Sequence, residues 1–234
     1  MKPAGKQILC ILAGGRSRRF GSSKLNLHLA GTPIAAWLLA RLRRGLPVEG
    51  WLSVAPGVLP PGTGAFDRIL VDRVPFAGPL AAMMQVLSQA PLGSLIVFAA
   101  ADMPMISPVH VASMVRQLSM TRSLVGVMSR WVNGPRCGRC EPLPCVFRAG
   151  RGARLLRQAW QAGLRGPQQL SSRREVGCAN LSWPRDEGDY LNINRREDLK
   201  KLSAISFQLS AREILQAGGL KLKAERCQLI AHSS

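Results

Sequence analysis

Acidic residues are scarce in this chain. Only 13 Asp and Glu stand against 32 Lys and Arg in 234 residues, a formal net charge of +19. A field of that sign draws in polyanions such as nucleotides, nucleic acid or an acidic partner protein, and charge alone does not choose among them. Aromatic residues are also few, at 5%. They do not interleave with the basic residues, so a stacking platform for single strands is unsupported and any nucleic-acid attraction is expected to be nonspecific. No apolar run reaches the roughly 18 residues of a membrane-spanning helix, and the opening MKPAGKQ has no signal-peptide layout. The expectation is a cytoplasmic protein without membrane contact.

Cysteine and histidine are equally limited in what they permit. The six cysteines are scattered rather than framed, which suits a reducing compartment. Cys137 and Cys140 form a C-x-x-C, but no second pair or His pair completes four ligands, so zinc or redox chemistry there competes with simple loop thiols. Cys10 and Cys145 lie within apolar runs and read as buried small hydrophobes. The three histidines (His28, His110, His232) stand away from the informative motifs, and no Ser-His-Asp or Cys-His grouping is visible.

What the chain does have is concentrated in residues 8–24, ILCILAGGRSRRFGSSK. The apolar opening is too short for a free-standing helix and suits a strand buried on both faces of a parallel sheet. Ala13, Gly14, Gly15, Ser17 and Gly21 then let the backbone turn tightly, with N–H groups open to an anion. Arg16, Arg18, Arg19 and Lys24 place cations around the same backbone. Together these are a sensible polyphosphate cradle. A tight turn beside a solvated arginine face is the alternative, since the spacing matches neither the P-loop nor G-x-G-x-x-G.

Downstream, strands and helices alternate in the α/β manner. Thr32 and Pro33 read as an N-cap and first-turn proline for a helix over 34–42. Short strands are expected at 51–54 and 68–71, the second closed by Asp72, followed by a helix over 81–89. The apolar run 95–101 is the most strand-like of all and stops at Asp102-Met-Pro104. Ligands of open parallel sheets sit beyond the carboxyl ends of strands, where Asp102 falls. A carboxylate there can hold a magnesium ion that bridges nucleotide phosphates, or it can cap the helix expected over 108–118. Asp72 has the same ambiguity between a site and a turn. Further elements are a strand over 123–128, a basic loop over 130–140 that is either a substrate lid or an insertion, a strand over 141–147 and a helix over 149–164.

Several of these segments resemble one family. LAGGRSRRFGSSK is similar to the signature L-A-G-G-x-S-x-R-[MF]-G-x-x-K of the MobA-like nucleotidyltransferases, best known as molybdenum cofactor guanylyltransferases. Asp72 to Ala82 resembles that family's D-x-x-P-x-x-G-P-L-A-G, with Ala82 in place of the last glycine. Asp102-Met-Pro104 matches its metal-binding D-x-P, and Glu141-Pro-Leu its E-P-L. Asn192-Ile-Asn194 resembles the start of N-I-N-T-P-E-D-L, with Arg195 and Arg196 for Thr-Pro.

The resemblance covers about residues 6 to 200 and implies a single three-layer α/β/α domain with a mostly parallel, Rossmann-like sheet, the nucleotide-diphospho-sugar transferase type. It implies a domain over 1–203; residues 204–234 lie beyond the usual end of the family, and one helix from about Ala211 and a basic tail are expected there. It further implies a magnesium-dependent enzyme, expected as a monomer, that moves GMP from GTP onto the phosphate of molybdopterin. A molybdoenzyme or its chaperone is the expected protein partner. Leu12, Ala13, Gly14, Gly15 and Lys24 would hold the triphosphate, Asp72 the base or metal, Asp102 the metal, and Asn192 and Asn194 the acceptor. Lys24, Asp102 and Arg19 would be the catalytic groups. Where relatives carry Asn after the second strand this chain has Ala55-Pro56, and Ser23 replaces an aspartate before Lys24. CTP as donor, a different acceptor, or a non-catalytic basic cofactor-binding protein therefore stand as alternatives.

Overall fold

A computed structural model describes residues 5–15, 24–183, 185–194 and 197–198. Met1–Asn194 forms one compact unit and Arg195–Ser234 a second. The expected boundary at 203, the helix from Ala211 and the tail lie outside the described residues, as does Arg19.

The sheet of the first unit begins with β1 (Gln7–Ala13), in which Ile8 to Ile11 and Ala13 are buried and Leu12 is half-buried. Its parallel neighbours are β4 (Glu49–Val54) and β6 (Leu95–Ala100). β5 (Arg68–Val71) adds to β4 as the edge. Beyond β6 come β8 (Cys140–Arg148), β7 (Gly126–Trp131) and β9 (Val176–Leu181), giving seven strands in the order β5-β4-β1-β6-β8-β7-β9. Only β8 runs against the rest, antiparallel to both β6 and β7. Residues inward on both faces explain why β1 and β6 are continuous apolar runs rather than alternating ones.

Helices cover both faces. Leu9 and Ile11 of β1 pack with Leu38 and Leu42 of α1 (Ile34–Arg43) and Met114 and Leu118 of α3 (Pro108–Met120). Ile8 and Cys10 point the other way, into a cluster with Met83 and Val86 of α2 (Pro79–Gln89) and Leu155 and Leu156 of α4 (Arg151–Gln161). The alternation along β1 thus feeds two separate cores, and the three-layer α/β/α architecture follows from it. Cys10 and Cys145 are fully buried, and burial pushes both thiols well up; for Cys10 the nearby Asp72 carboxyl adds to the rise.

Three expectations need correction. Thr32 is not an N-cap: Thr32–Pro33 is a short strand, β3, paired antiparallel with β2 (His28–Leu29), and α1 starts at Ile34 without a side-chain cap. Its buried stripe of Ile34, Ala35, Leu38, Leu39 and Leu42 supplies the stability that the cap does not. The strand expected over 123–128 is shifted to β7, so Arg130 and Trp131 belong to the sheet and not to the loop. Strand β9 was not expected at all, because its sequence VGCANL mixes glycine and amide with apolar residues and lacks a clean period.

Phe98 lies at the centre of the second core with no exposed surface. Truncation of so large a buried ring removes its transfer free energy and leaves a cavity. Phe98→Ala is expected to lower the unfolding free energy by about 3–5 kcal/mol, read as a fall in the urea midpoint.

Candidate functional site

A cleft of about 580 Å³ opens over the carboxyl ends of β1, β4, β5 and β6. Its volume is in the range of small-molecule sites. This is the point where chain order reverses, since the strands run outward from β1 to β4 and β5 and then return to β6 on its other side. Connections leave in opposite directions there and leave a crevice between them.

The floor is the turn after β1. Leu12, Ala13, Gly14 and Gly15 all line the cleft. Gly14 has a steric reason for being glycine: a Cβ there would come to 2.5 Å from Oδ2 of Asp72. At Gly15 the equivalent direction meets nothing within 4 Å, so the backbone is open on that side. The two glycines therefore serve different ends, one for close packing and one for access.

Asp72 follows β5, and its N–H continues the ladder to Val54 O at 2.8 Å. The carboxylate is buried, and Oδ1 accepts a hydrogen bond of 2.5 Å from the Ser53 hydroxyl of β4. Burial pushes the Asp72 carboxyl above the usual range, and the Ser53 bond pulls it partly back. Ser53 is a cleft residue that sequence reasoning missed. A serine in a short strand reads as a polar edge residue, and only the parallel register of β4 and β5, with Ser53 opposite Leu70, brings it to Asp72.

After Asp72 the chain turns through Phe76 and Gly78 into α2, with Pro79 at its first turn. Gly78 has φ 93, and a Cβ would strike Arg165 O at 2.8 Å. Phe76 is a second missed residue. It holds φ 56, an uncommon conformation for a bulky side chain, and lines the cleft while 46% exposed. A flat apolar ring at the mouth of a nucleotide-sized cleft is a surface on which a base can lie.

The opposite wall carries the charges. Asp102 stands just past β6, where Ala101 N–H still pairs with Leu12 O at 3.1 Å and Met103 N–H turns back to Ala100 O at 3.1 Å. The helix-cap alternative for Asp102 fails: Ser107 is the N-cap of α3, its Oγ accepting from His110 N–H at 3.4 Å. The Lys24 ammonium instead meets Asp102 Oδ2 at 3.2 Å and Asn194 Oδ1 at 3.1 Å. The lysine side chain is only 14% exposed and the aspartate 31%. Three residues far apart in sequence thus converge on one ammonium group. Asn192 and Asn194 are both exposed and neither lines the cleft itself, Asn194 meeting its wall through Lys24.

The thiols Cys137 and Cys140 are not joined to the cleft. Cys137 Sγ donates to Val132 O at 3.3 Å, while Cys140 Sγ accepts from Arg130 Nε at 3.4 Å. Among the described residues, no three His, Cys, Asp or Glu side chains converge to hold a metal by themselves, and no helix is long and apolar enough to cross a membrane.

The arrangement can hold a polyphosphate between a backbone cradle and a lysine, with carboxylates on either side. Residues 9–217 match the MobA-like NTP transferase domain. A probable molybdenum cofactor guanylyltransferase of Pyrococcus horikoshii is 28% identical over 199 residues, covering 83% of this chain and 97% of that protein. The molybdopterin-guanine dinucleotide biosynthesis protein A of Archaeoglobus fulgidus superposes with a TM-score of 0.62 at 19% identity, over 86% of this chain and 98% of that one. A nucleotidyl transferase from Methanothermobacter gives 0.67 at 17% identity, over 87% and 99%. With the family match spanning most of its length, the chain belongs to the MobA-like NTP transferases.

Proposed function

We propose that this nucleotidyltransferase moves GMP from GTP onto the terminal phosphate of molybdopterin or its molybdenum-loaded form, releasing pyrophosphate. The observation that carries the reading is the convergence of Lys24, Asp102 and Asn194 at the rim of the cleft, on the motifs that define the family. The guanylyltransferase names of its relatives supply the base and the acceptor.

The residues present fit a magnesium ion. Magnesium keeps several waters and takes one or two carboxylates together with substrate phosphates, rather than a cage made wholly of protein. Asp102 offers one such carboxylate on the cleft wall. Asp102 would hold the ion, which would supply positive charge to the phosphates in the cleft.

The chain's own groups do the rest. Amides of the turn at Leu12 to Gly15 and the Lys24 ammonium hold the triphosphate, and Lys24 offsets the charge that grows on the departing oxygens. Asp72, fixed by Ser53, borders the same space and places the base. Asn194 presents an amide next to Lys24, from which it directs the acceptor without adding charge. An acceptor phosphate is already an anion near neutral pH, so its oxygen attacks the α-phosphorus with no strong general base. Alignment is then the main task, and a rigid sheet edge suits it.

Asp102→Ala is expected to reduce turnover of GTP and molybdopterin at least about 100-fold. Pyrophosphate release measured at saturating substrates checks this, and near-normal turnover would refute the assignment. Gly14→Ala forces its Cβ against Asp72, and nucleotide affinity is expected to fall roughly 10-fold, about 1.4 kcal/mol. Calorimetric titration with GTP, CTP, ATP and UTP measures that loss and identifies the preferred base.

A further inference from the structure

We propose that Tyr190 is a positioning residue for this reaction: the hydrogen bond from its hydroxyl to Ser129 fixes the segment that carries Asn194 to the Lys24 ammonium. The inference rests on the roles given to Lys24 and Asn194 above.

The segment starts at the short 3-10 turn Gly188–Tyr190 and continues to Asn194. Residues 191–194 belong to no helix or strand, so individual contacts set their course. Ile193 makes one of them: it is fully buried, and its N–H donates to the backbone carbonyl of Asp102 at 2.8 Å. Asn194 Oδ1 then accepts from Lys24 Nζ at 3.1 Å, the same ammonium that meets Asp102 Oδ2. Tyr190 stands four residues before Asn194, a span of about 14 Å at full extension. A shift at Tyr190 is therefore felt at the ammonium.

Two kinds of contact hold Tyr190, which is 3% exposed, and they do different things. The ring stands edge-on to Trp131 of β7, with centroids 5.7 Å apart, and to His110 of α3 at 6.1 Å. Trp131 is itself fully buried, and its indole N–H donates to Glu141 Oε1 at 2.8 Å, so that wall is fixed. Apolar contact has no preferred direction, and it leaves the tilt and depth of the ring to be set by something else. The hydroxyl sets them. It donates to Ser129 Oγ at 2.7 Å, and that oxygen, on a residue with no exposed surface, also meets His110 Nε2 at 2.9 Å. One serine hydroxyl thus joins β7, α3 and the segment at a single point. Because a hydrogen bond tolerates only a narrow range of distance and angle, this junction fixes where Tyr190 sits and hence where Asn194 arrives. A phenylalanine would fill the same space; the hydroxyl adds placement.

Tyr190→Phe in the full chain keeps the ring and removes the bond. Hydrogen exchange reads the placement without reference to turnover: the Ile193 N–H is expected to exchange about 10-fold faster in the variant, with the amides of β1 unchanged. In the pyrophosphate-release assay with GTP and molybdopterin, kcat is expected to fall about 10-fold. Calorimetric affinity and stoichiometry for GTP should stay at the wild-type values, which a general loosening of the fold would not allow. Ser129→Ala, which removes the acceptor, should reproduce the loss of kcat. Tyr190→Phe combined with Asn194→Ala should lose no more than Asn194→Ala alone, because Tyr190 acts through Asn194. Unchanged exchange at Ile193, exchange that quickens equally in β1, an unchanged kcat, or losses that add in the double variant would each overturn the proposal. The parent reading fails in a different place: a wild-type chain that released no pyrophosphate would refute it, whereas the exchange rate at Ile193 still tests the hold on the segment.

Discussion

The ion pair between Lys24 and Asp102 sets the terms for everything around it. Each charge is largely withdrawn from water, and a pair so placed gains little net stability, because desolvation offsets most of its attraction. Its worth lies in geometry. Lys24 opens the short 3-10 turn Lys24–Asn26, Asp102 follows the end of β6, and β6 is paired in parallel with β1. Asn194 completes the arrangement from the far end of the unit. A charged cluster with no side that covalent neighbours hold in place must be held by the sheet.

That sheet is built to be rigid at this edge. β1 is flanked on both sides by parallel strands and packed on both faces, so its carboxyl end has no freedom to shift without disturbing two cores. The antiparallel β8 belongs to the same logic. Inserted between β6 and β7, it brings Leu143 to the cleft and carries Glu141, whose carboxylate accepts from Trp131 Nε1 at 2.8 Å. The wall beyond Asp102 is thereby a continuation of the sheet and not a free loop.

How much of this could be read in advance depended on the range of the interactions involved. The strands β1 and β6 were legible because a doubly buried strand writes itself as an uninterrupted apolar run. The turn at Leu12 to Gly15 was legible because its small residues are contiguous and follow an apolar strand directly. Asp102 was legible as a strand-end carboxylate, but its meeting with Asn194 on the one Lys24 ammonium was not. Ser53 and Phe76 were not legible: one acts through strand register and the other through a backbone conformation that its side chain does not advertise. β9 escaped because its position is secured by pairing with β7 along its whole length rather than by its own composition.

An acid-poor chain gives its remaining carboxylates unusual weight. With +19 of formal charge, attraction of a triphosphate needs no special device, and the field would accept any polyanion. Discrimination must come from groups that resist that field. Asp72 and Asp102 are the two carboxylates in the cleft, one buried against Gly14 and Ser53 and the other neutralised by Lys24. On the proposed function, the basic surface would govern how readily nucleotides arrive, whereas these few acids would govern which of them stays in a reactive position.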